Sequence, residues 1–139
     1  MHFVQLTAEH AMRIAGLEAI HSGYEITPEI AVELEAIGGT AAVDGDDVLA
    51  IAGVLPRWQG VGMAWAWLGL GWRRHARVIT DAVRASLDVS PYDRVEAGVR
   101  CDYARGHAWM QRLGFELETP LARRWGPDGA DYSIYRRLK

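Results

Sequence analysis

The chain has 139 residues, of which 50% are hydrophobic and 24% charged, and its formal net charge is −3; this composition is typical of one globular domain. A weakly acidic chain has no general attraction for nucleic acid or anionic membranes, and no apolar run reaches the roughly 18 residues of a membrane span. The single cysteine, Cys101, excludes an intrachain disulfide and fits a reducing compartment. We therefore expect one domain over residues 1–139, no membrane partner and a cytoplasmic location.

The first half of the chain predicts a strand, two helices and a hairpin. Thr7 suits the N-cap of the first helix, and Thr27 before Pro28 suits that of the second. Asp44-Gly45 favours the tight type I′ turn of a β-hairpin. The predicted elements are a strand at 2–6, helices at 7–20 and 28–37, and strands at 40–43 and 48–55.

The second half predicts strands and helices in alternation, followed by a final hairpin. Residues 56–62 predict a turn or bulge, whereas residues 63–70 alternate at period 2 as a strand does. Gly114 fits a left-handed residue that ends a helix. The predicted elements are strands at 63–70 and 94–100, helices at 75–87 and 102–113, and strands at 115–125 and 131–138 around a turn at 126–129.

This order of elements, with a helix that ends in Leu113-Gly114-Phe115, resembles the GNAT N-acetyltransferase superfamily over essentially the whole chain. The resemblance implies one α+β (mixed α/β) domain, with a central, mostly antiparallel twisted sheet of about seven strands and about four helices. The strand at 50–54, the segment at 58–62 and the Gly-Pro-Asp-Gly turn at 126–129 resemble a GNAT-like subgroup of tailed-phage proteins. That subgroup implies a location in the host cytoplasm.

The resemblance also implies acetyl-CoA as acyl donor and an amine as acceptor. A pyrophosphate favours backbone N–H groups at the start of a helix, and two loops compete for this role. Residues 59–64 match the family pattern Gln/Arg-x-x-Gly-x-Gly/Ala literally, but require a helix to begin near Gly62. We favour the later loop, although a solvated basic helix cap is the alternative. Its candidate cofactor-binding residues are Trp67, Leu68, Gly69, Leu70, Gly71, Arg73, Arg74, His75, Ala76 and Arg77.

Direct attack by an amine needs a base for its proton and a donor for the developing oxyanion. Glu25, in the loop after the first helix, and Glu96, on a half-buried strand, are the candidate bases, although either also fits an ordinary surface or partnered acid. The family resemblance places the oxyanion donor at a backbone N–H of residues 67–69. The general-acid tyrosine of the family falls at Met110, and its frequent asparagine falls at Tyr103, whose hydroxyl is our candidate donor to the leaving thiolate.

Three alternatives remain open from the sequence. The first is a non-catalytic GNAT-fold phage structural or interaction protein with a degenerate cofactor site. The second is acetylation of an amine on modified phage DNA, for which the arginine pairs at 123–124 and 136–137 suggest a local basic patch. The acceptor is otherwise a small molecule or a protein, and the tryptophans fit either a core or a homodimer surface. No metal site is expected, because the five histidines lack ligand spacing.

Overall fold

The computed structural model describes residues 1–14 and 25–139. In this part of the chain the helices and strands follow the predicted order. They are β1 (His2–Gln5), α1 (Ala8–Arg13), α2 (Pro28–Ile37), β2 (Thr40–Asp44), β3 (Asp47–Trp58), β4 (Val61–Leu68), α3 (Ala76–Asp88), β5 (Arg94–Arg100), α4 (Ala104–Arg112), β6 (Glu116–Ala122) and β7 (Tyr132–Leu138), with a 3-10 turn at Trp72–His75 before α3. None of the described helices is both long and apolar enough to cross a membrane.

The first two helices begin where the sequence predicts, because each has a threonine cap. The Thr7 hydroxyl accepts a hydrogen bond from the His10 backbone N–H at 3.2 Å, and the His10 ring accepts one from the Thr7 N–H at 3.1 Å. The Thr27 hydroxyl accepts from the Ile30 N–H at 3.2 Å, and Pro28 occupies the first helical position. These bonds satisfy N–H groups that lack partners within the helix.

The end of α1 differs from the prediction. The helix ends at Arg13, because Ile14 is extended with φ −66° and ψ 128°, whereas the sequence predicted a helix to about residue 20. The remainder of that prediction lies in residues 15–24, outside the described residues.

The seven strands form one sheet in the order β1-β2-β3-β4-β5-β7-β6, and β4–β5 is the parallel pair among antiparallel neighbours. Helices α1 and α2 cover one face, where Ile51 and Trp67 are buried. Helices α3 and α4 cover the opposite face, where Ile79 of α3 shares a core cluster with Leu68 and Met110 of α4 shares one with Val99. The predicted mixed α/β class with a mostly antiparallel seven-stranded sheet is therefore confirmed.

The β3–β4 hairpin is longer than predicted. Residues 56–62 were expected to form a turn or bulge, yet β3 continues to Trp58 and the turn is confined to residues 59–60. Pro56 is tolerated because the pairing with β2 ends at Ala52, so among the described residues this part of β3 has a neighbouring strand on the β4 side alone.

Candidate functional site

The central feature of the sheet is a gap between the two parallel strands. Strands β4 and β5 pair over their first positions alone, although β4 continues to Leu68 beside β3 and β5 continues to Arg100 beside β7. The paired residues are Val61 with Arg94, Gly62 with Val95, and Met63 with Glu96. Beyond these pairs, residues 64–68 and 97–100 border an opening through the sheet, which we call the gap.

The hydrogen-bond pattern of β4 identifies which peptide groups face the gap. The Gly69 N–H donates to the Leu49 carbonyl at 2.8 Å, which makes these residues a hydrogen-bonded pair across β3 and β4. Hydrogen-bonded pairs alternate along antiparallel strands, so the Trp67 N–H also points toward β3. The N–H groups of Ala66 and Leu68 point the other way, toward the gap.

On the face covered by α3 and α4, small side chains border the gap. Because side chains alternate along a strand and Leu68 packs on this face, Ala64 and Ala66 lie on it too. Ala66 is half-buried although its strand lies inside the sheet. Over the same face of the sheet, the Trp109 indole N–H donates to the Thr80 hydroxyl at 3.0 Å and connects α4 to α3.

On the opposite face, β4 carries two tryptophans, and the Trp65 ring lies over Gly53 of β3, away from the gap. The Trp65 and Trp67 rings are 5.6 Å apart on β4. Across the gap, a Cβ atom on Gly98 would lie 2.5 Å from the Trp125 ring, so that indole lies directly on the β5 backbone. The gap therefore has an alanine-lined side and a side on which the Trp125 indole covers the β5 backbone.

Solved structures share this architecture. No protein-family model matches the sequence, and no curated protein matches it. An acetyltransferase of the GNAT family from Streptococcus pneumoniae is 12% identical, with 99% of each chain covered and a TM-score of 0.71. Ard1 from Thermoplasma volcanium is 12% identical, with 99% of this chain and 96% of that chain covered and a TM-score of 0.80. The chain therefore has the GNAT fold.

Another GNAT-fold neighbour is the aminoglycoside acetyltransferase AAC(6')-Ib in complex with coenzyme A. It is 13% identical to this chain, with 99% of this chain and 94% of that chain covered and a TM-score of 0.72. At these identities the likeness concerns the fold, and it confirms the GNAT architecture predicted from the order of the elements.

The predicted cofactor-binding residues lie together at the junction of β4 and α3 in this GNAT fold. Trp67 and Leu68 are buried on opposite faces of β4, and Leu70 is exposed. Gly71 has φ 83° and caps the 3-10 turn that precedes Ala76, the first residue of α3. The Gly69 N–H is already bonded to β3, so this group is not available as an oxyanion donor, whereas the Leu68 N–H is.

Part of the basic cluster at the start of α3 faces carboxylates. Arg74 and His75 line a pocket of about 400 Å³ whose other wall is the acidic β2–β3 hairpin. The His75 ring lies 3.6 Å from the Asp44 carboxylate, and the terminal ammonium of Met1 lies 3.3 Å from it. That ammonium, with a smaller contribution from His75, holds the pKa of the Asp44 carboxyl below its usual value. The cluster is therefore partly balanced by the protein itself, which the sequence did not predict; Arg73 and Arg77 are exposed.

The literal family pattern at residues 59–64 does not form a phosphate loop. Gln59 and Gly60 make the β3–β4 turn, and β4 follows at once without a helix. Gly62 has a packing role, because a Cβ atom there would overlap the Val54 side chain and contact the Tyr92 ring. This candidate loop is therefore wrong.

Glu96 lies at the last paired position before the gap, but it is not an isolated carboxylate. Its side chain is 18% exposed and accepts from the Arg94 guanidinium at 2.9 Å, and the Arg57 guanidinium is 3.5 Å away. Arg94 also pairs with Glu118, and this bond holds the pKa of the Glu118 carboxyl below its usual value. The arrangement is typical of a structural ion-pair network and argues against the predicted role of Glu96 as base.

The other two predicted catalytic residues lie at the ends of elements. Glu25 is exposed just before α2, next to the residues outside the described ranges. Tyr103 is the N-cap of α4, its N–H donates to the Arg100 carbonyl at 3.0 Å, and its ring packs against Gly106. Tyr103 therefore lies at the end of β5 that borders the gap, and its role stays a prediction. Met110, at the family's acid position, is buried in the core.

Sequence reasoning missed Ala66, Gly98 and Trp125. Gly98 carried a signal, because a glycine inside a strand often marks a close approach by another group. The group that approaches Gly98 is Trp125, in the connection between β6 and β7. This connection lies more than twenty residues further along the chain, and no local pattern links it to Gly98.

Proposed function

We propose that the protein is an acyl-CoA-dependent N-acyltransferase, which transfers an acetyl group from acetyl-CoA to an amine by direct attack. The observation that carries this proposal is the gap between β4 and β5. An extended thioester arm fits beside a strand whose peptide groups are free of a neighbouring strand, because those groups need hydrogen-bond partners. The GNAT-fold structure in complex with coenzyme A supports the same cofactor class.

The donor's parts match the chemistry at the gap. The N–H groups of Ala66 and Leu68 are suited to the thioester carbonyl and to the oxyanion that develops during attack. The pyrophosphate is suited to residues 69–76 and the amino end of α3, where N–H groups and the helix dipole favour anions. Arg73 and Arg77 add positive charge at the same end of α3.

The transfer forms a C–N bond and breaks the C–S bond of the thioester. The attacking amine must be neutral, so its proton passes to a base, directly or through water. Glu25 remains the candidate base, since Glu96 is held by arginines. The thiolate that leaves takes up a proton, for which Tyr103 is the candidate donor. Acetyl-CoA as substrate also agrees with the cytoplasmic location expected from the single cysteine.

Thermal unfolding with acetyl-CoA tests the proposal. A ligand at about 100 times its Kd adds roughly 2.7 kcal/mol to the stability of the folded state, so millimolar acetyl-CoA is expected to raise the Tm. Ala66→Leu, which fills the alanine-lined side of the gap, is expected to abolish the shift. Ala85→Leu is the matched control, because Ala85 is exposed on α3 and its shift should equal that of the wild type.

The rival function is that of a non-catalytic GNAT-fold protein, such as a phage structural or interaction protein. The engagement of Glu96 by arginines, the buried methionine at the family's acid position and the Trp109–Thr80 bond between the helices favour it. An unchanged Tm at millimolar acetyl-CoA, in a wild-type protein that unfolds cooperatively, would favour this rival and refute the enzyme.

An acceptor on modified DNA receives less support. Arg136 and Arg137 are successive residues of β7 and so point to opposite faces. Arg136 pairs with Glu116 at 3.3 Å, and Arg137 pairs with Asp88. The basic patch expected from these two arginines is therefore not formed.

A further inference from the structure

We propose that His107 is a positioning residue for acyl transfer, because it holds Tyr103, the candidate proton donor, where β5 ends beside the gap. This inference rests on the proposed function and deepens it. No step of the proposed transfer uses His107, which lies on α4. Its ring nevertheless forms hydrogen bonds with residues of both β5 and β7, and its backbone bonds to Tyr103 itself.

Both ring nitrogens of His107 have partners, and these partners fix the place of the ring proton. Nε2 lies 3.0 Å from the Arg100 backbone carbonyl, and Nδ1 lies 2.7 Å from the Tyr135 hydroxyl. A carbonyl oxygen only accepts, so in the neutral ring Nε2 carries the proton. Nδ1 therefore accepts from the O–H of Tyr135, which is buried on β7. The ring is thus oriented from β7 and donates to the end of β5.

The Arg100 carbonyl that His107 holds points toward the gap. The N–H of the next residue, Cys101, donates to the Asp131 carbonyl on the β7 side at 3.0 Å. In a trans peptide group the carbonyl and the N–H point in opposite directions, so the Arg100 carbonyl points away from β7. Strand β4 no longer pairs with β5 at this level. The carbonyl accepts instead from the His107 ring and from the Tyr103 N–H, each at 3.0 Å.

His107 therefore holds the backbone of Tyr103 at both of its polar groups. The Tyr103 N–H shares the Arg100 carbonyl with the His107 ring, and the Tyr103 carbonyl accepts from the His107 N–H at 3.3 Å and from the Gly106 N–H at 3.1 Å. The Tyr103 ring lies close to Gly106, where an added Cβ atom would be 2.6 Å from it. The first turn of α4 thus fixes the candidate donor, and the His107 ring connects that turn to the sheet.

The position of Tyr103 matters when the C–S bond of the thioester breaks. The leaving thiolate takes the hydroxyl proton of Tyr103, and Tyr103 regains a proton from water. A proton donor acts within about 2.6–3.2 Å of the atom that it protonates, and a misplacement of about 1 Å can lower the rate about a hundredfold. Loss of the His107 ring should therefore lower kcat and leave the binding of acetyl-CoA largely unchanged.

The test measures release of coenzyme A from acetyl-CoA, with water as acceptor and with millimolar butylamine as a probe amine. His107→Phe keeps an aromatic ring but removes both hydrogen bonds of the ring. We expect it to lower kcat at least about tenfold and to change the KM for acetyl-CoA less than about twofold. In His107→Gln the amide N–H can donate to Arg100 and the amide oxygen can accept from Tyr135, so kcat should return to within about threefold of the wild type.

A double-mutant cycle shows whether His107 acts through Tyr103. Tyr103→Phe removes the hydroxyl alone and should lower kcat at least as much as His107→Phe. In the Tyr103→Phe background, His107→Phe should have no further effect on kcat, because no proton donor remains to be positioned. Gly106→Ala displaces the Tyr103 ring without altering the His107 ring and should also lower kcat. His2→Phe is the matched control, because His2 is exposed on the edge strand β1, and its kcat should equal that of the wild type.

Magnetic resonance of the ring nitrogens tests the geometry without turnover. In ¹⁵N-labelled protein, the neutral His107 ring should carry its proton on Nε2. In His107→Phe, the Tyr103 amide proton should exchange with solvent faster than in the wild type. A neutral ring with its proton on Nδ1, or an unchanged exchange rate of the Tyr103 amide, would overturn the proposed positioning.

The outcomes separate this inference from the proposed function. If the wild type releases coenzyme A but His107→Phe lowers kcat equally in both backgrounds, or changes the KM alone, the positioning role is refuted and the acyltransferase stands. If His107→Phe does not fold, His107→Asn takes its place in the cycle, because its side chain is too short to reach both partners. If acetyl-CoA raises the Tm but no coenzyme A is released with either acceptor, the positioning role is overturned and cofactor binding stands. If acetyl-CoA does not raise the Tm, both proposals are overturned.

Discussion

Gly98→Ala is expected to destabilise the protein by displacing a side chain that is distant in sequence. The added methyl group would lie 2.5 Å from Cζ3 and 2.7 Å from Cη2 of Trp125, closer than real Cβ atoms approach other carbons. The backbone of β5 is held by β7 along its length, so the ring must move instead. Trp125 is 42% exposed, and it is therefore free to turn outward.

The cost follows from the area that the ring loses. A tryptophan buries about 150–250 Å² when fully covered, and Trp125 is 42% exposed, so about 120 Å² is covered now. At about 25 cal/mol per Å², uncovering it costs about 3 kcal/mol, which is an upper estimate. Alanine in a strand recovers about 0.5–1 kcal/mol relative to glycine. The expected net loss for Gly98→Ala is therefore about 2 kcal/mol.

A double-mutant cycle tests the cause rather than the size alone. Trp125→Ala is expected to cost about 3 kcal/mol by the same area argument. In the Trp125→Ala background no ring opposes the methyl group, so Gly98→Ala is expected to stabilise by about 0.5–1 kcal/mol. The assay is urea unfolding followed by circular dichroism. Equal effects of Gly98→Ala in both backgrounds would refute the proposed packing.

Three further predictions use other parts of the structure. Trp109→Phe removes the hydrogen bond to Thr80 and is expected to cost about 1 kcal/mol in urea unfolding. Burial raises the pKa of the Tyr135 hydroxyl above its ordinary 10.0. Above pH 10.0 the folded state keeps a proton that the unfolded state releases, so the free energy of unfolding falls as the pH rises. Urea unfolding from pH 8 to 11 should show a smaller alkaline loss in Tyr135→Phe. Arg94 lowers the pKa of the Glu118 carboxyl below 4.5. The ionised Glu118 therefore contributes to the stability of the folded state above that pH, and this contribution is lost as the pH falls through the folded pKa. In Glu118→Gln, urea unfolding should show a smaller loss of stability as the pH is lowered.

Much of the fold could be predicted because its signals are local. Thr7 and Thr27 each cap a helix through their own neighbours three residues away, and strand β5 shows strict alternation of buried and half-buried residues. Pro56 misled the prediction of β3, because a proline is read as a strand breaker unless the absence of a second neighbouring strand is known. That absence is a property of the sheet and not of the local sequence.

The candidate site was predictable in its position along the chain but not in its contacts. Residues 69–76 do connect β4 to α3, as the glycines and arginines predicted. The pairing of Glu96 with Arg57 could not be predicted, since Arg57 lies on a strand that does not pair with β5, whereas Arg94 lies two residues away on the same strand. The gap itself has no sequence signal, because a strand shows the same alternation whether or not its neighbour diverges.

The gap stays open because each of its strands is committed elsewhere. Strand β4 pairs with β3 along its whole length, and β5 pairs with β7 along its whole length. The two strands also belong to largely separate core clusters, since Trp67 of β4 lies in one cluster and Val95, Ala97 and Val99 of β5 lie in another. Pulling β4 and β5 together would require rotating one half of the sheet away from the helices that cover it. The sheet alone therefore favours an opening and does not fix its width.

We infer that helices α3 and α4 set the width of the gap. The two rival functions then predict different roles for one contact between these helices. Trp109 packs with the core on both sides of the gap and bonds α4 to α3 through Thr80. If the gap holds a thioester arm, loosening this bond should change acetyl-CoA affinity beyond the loss of stability, and Trp109→Phe should lower the ligand-induced rise in Tm. If the protein is non-catalytic, the bond serves stability alone. The same substitution then lowers the Tm of the free protein without any effect that depends on acetyl-CoA.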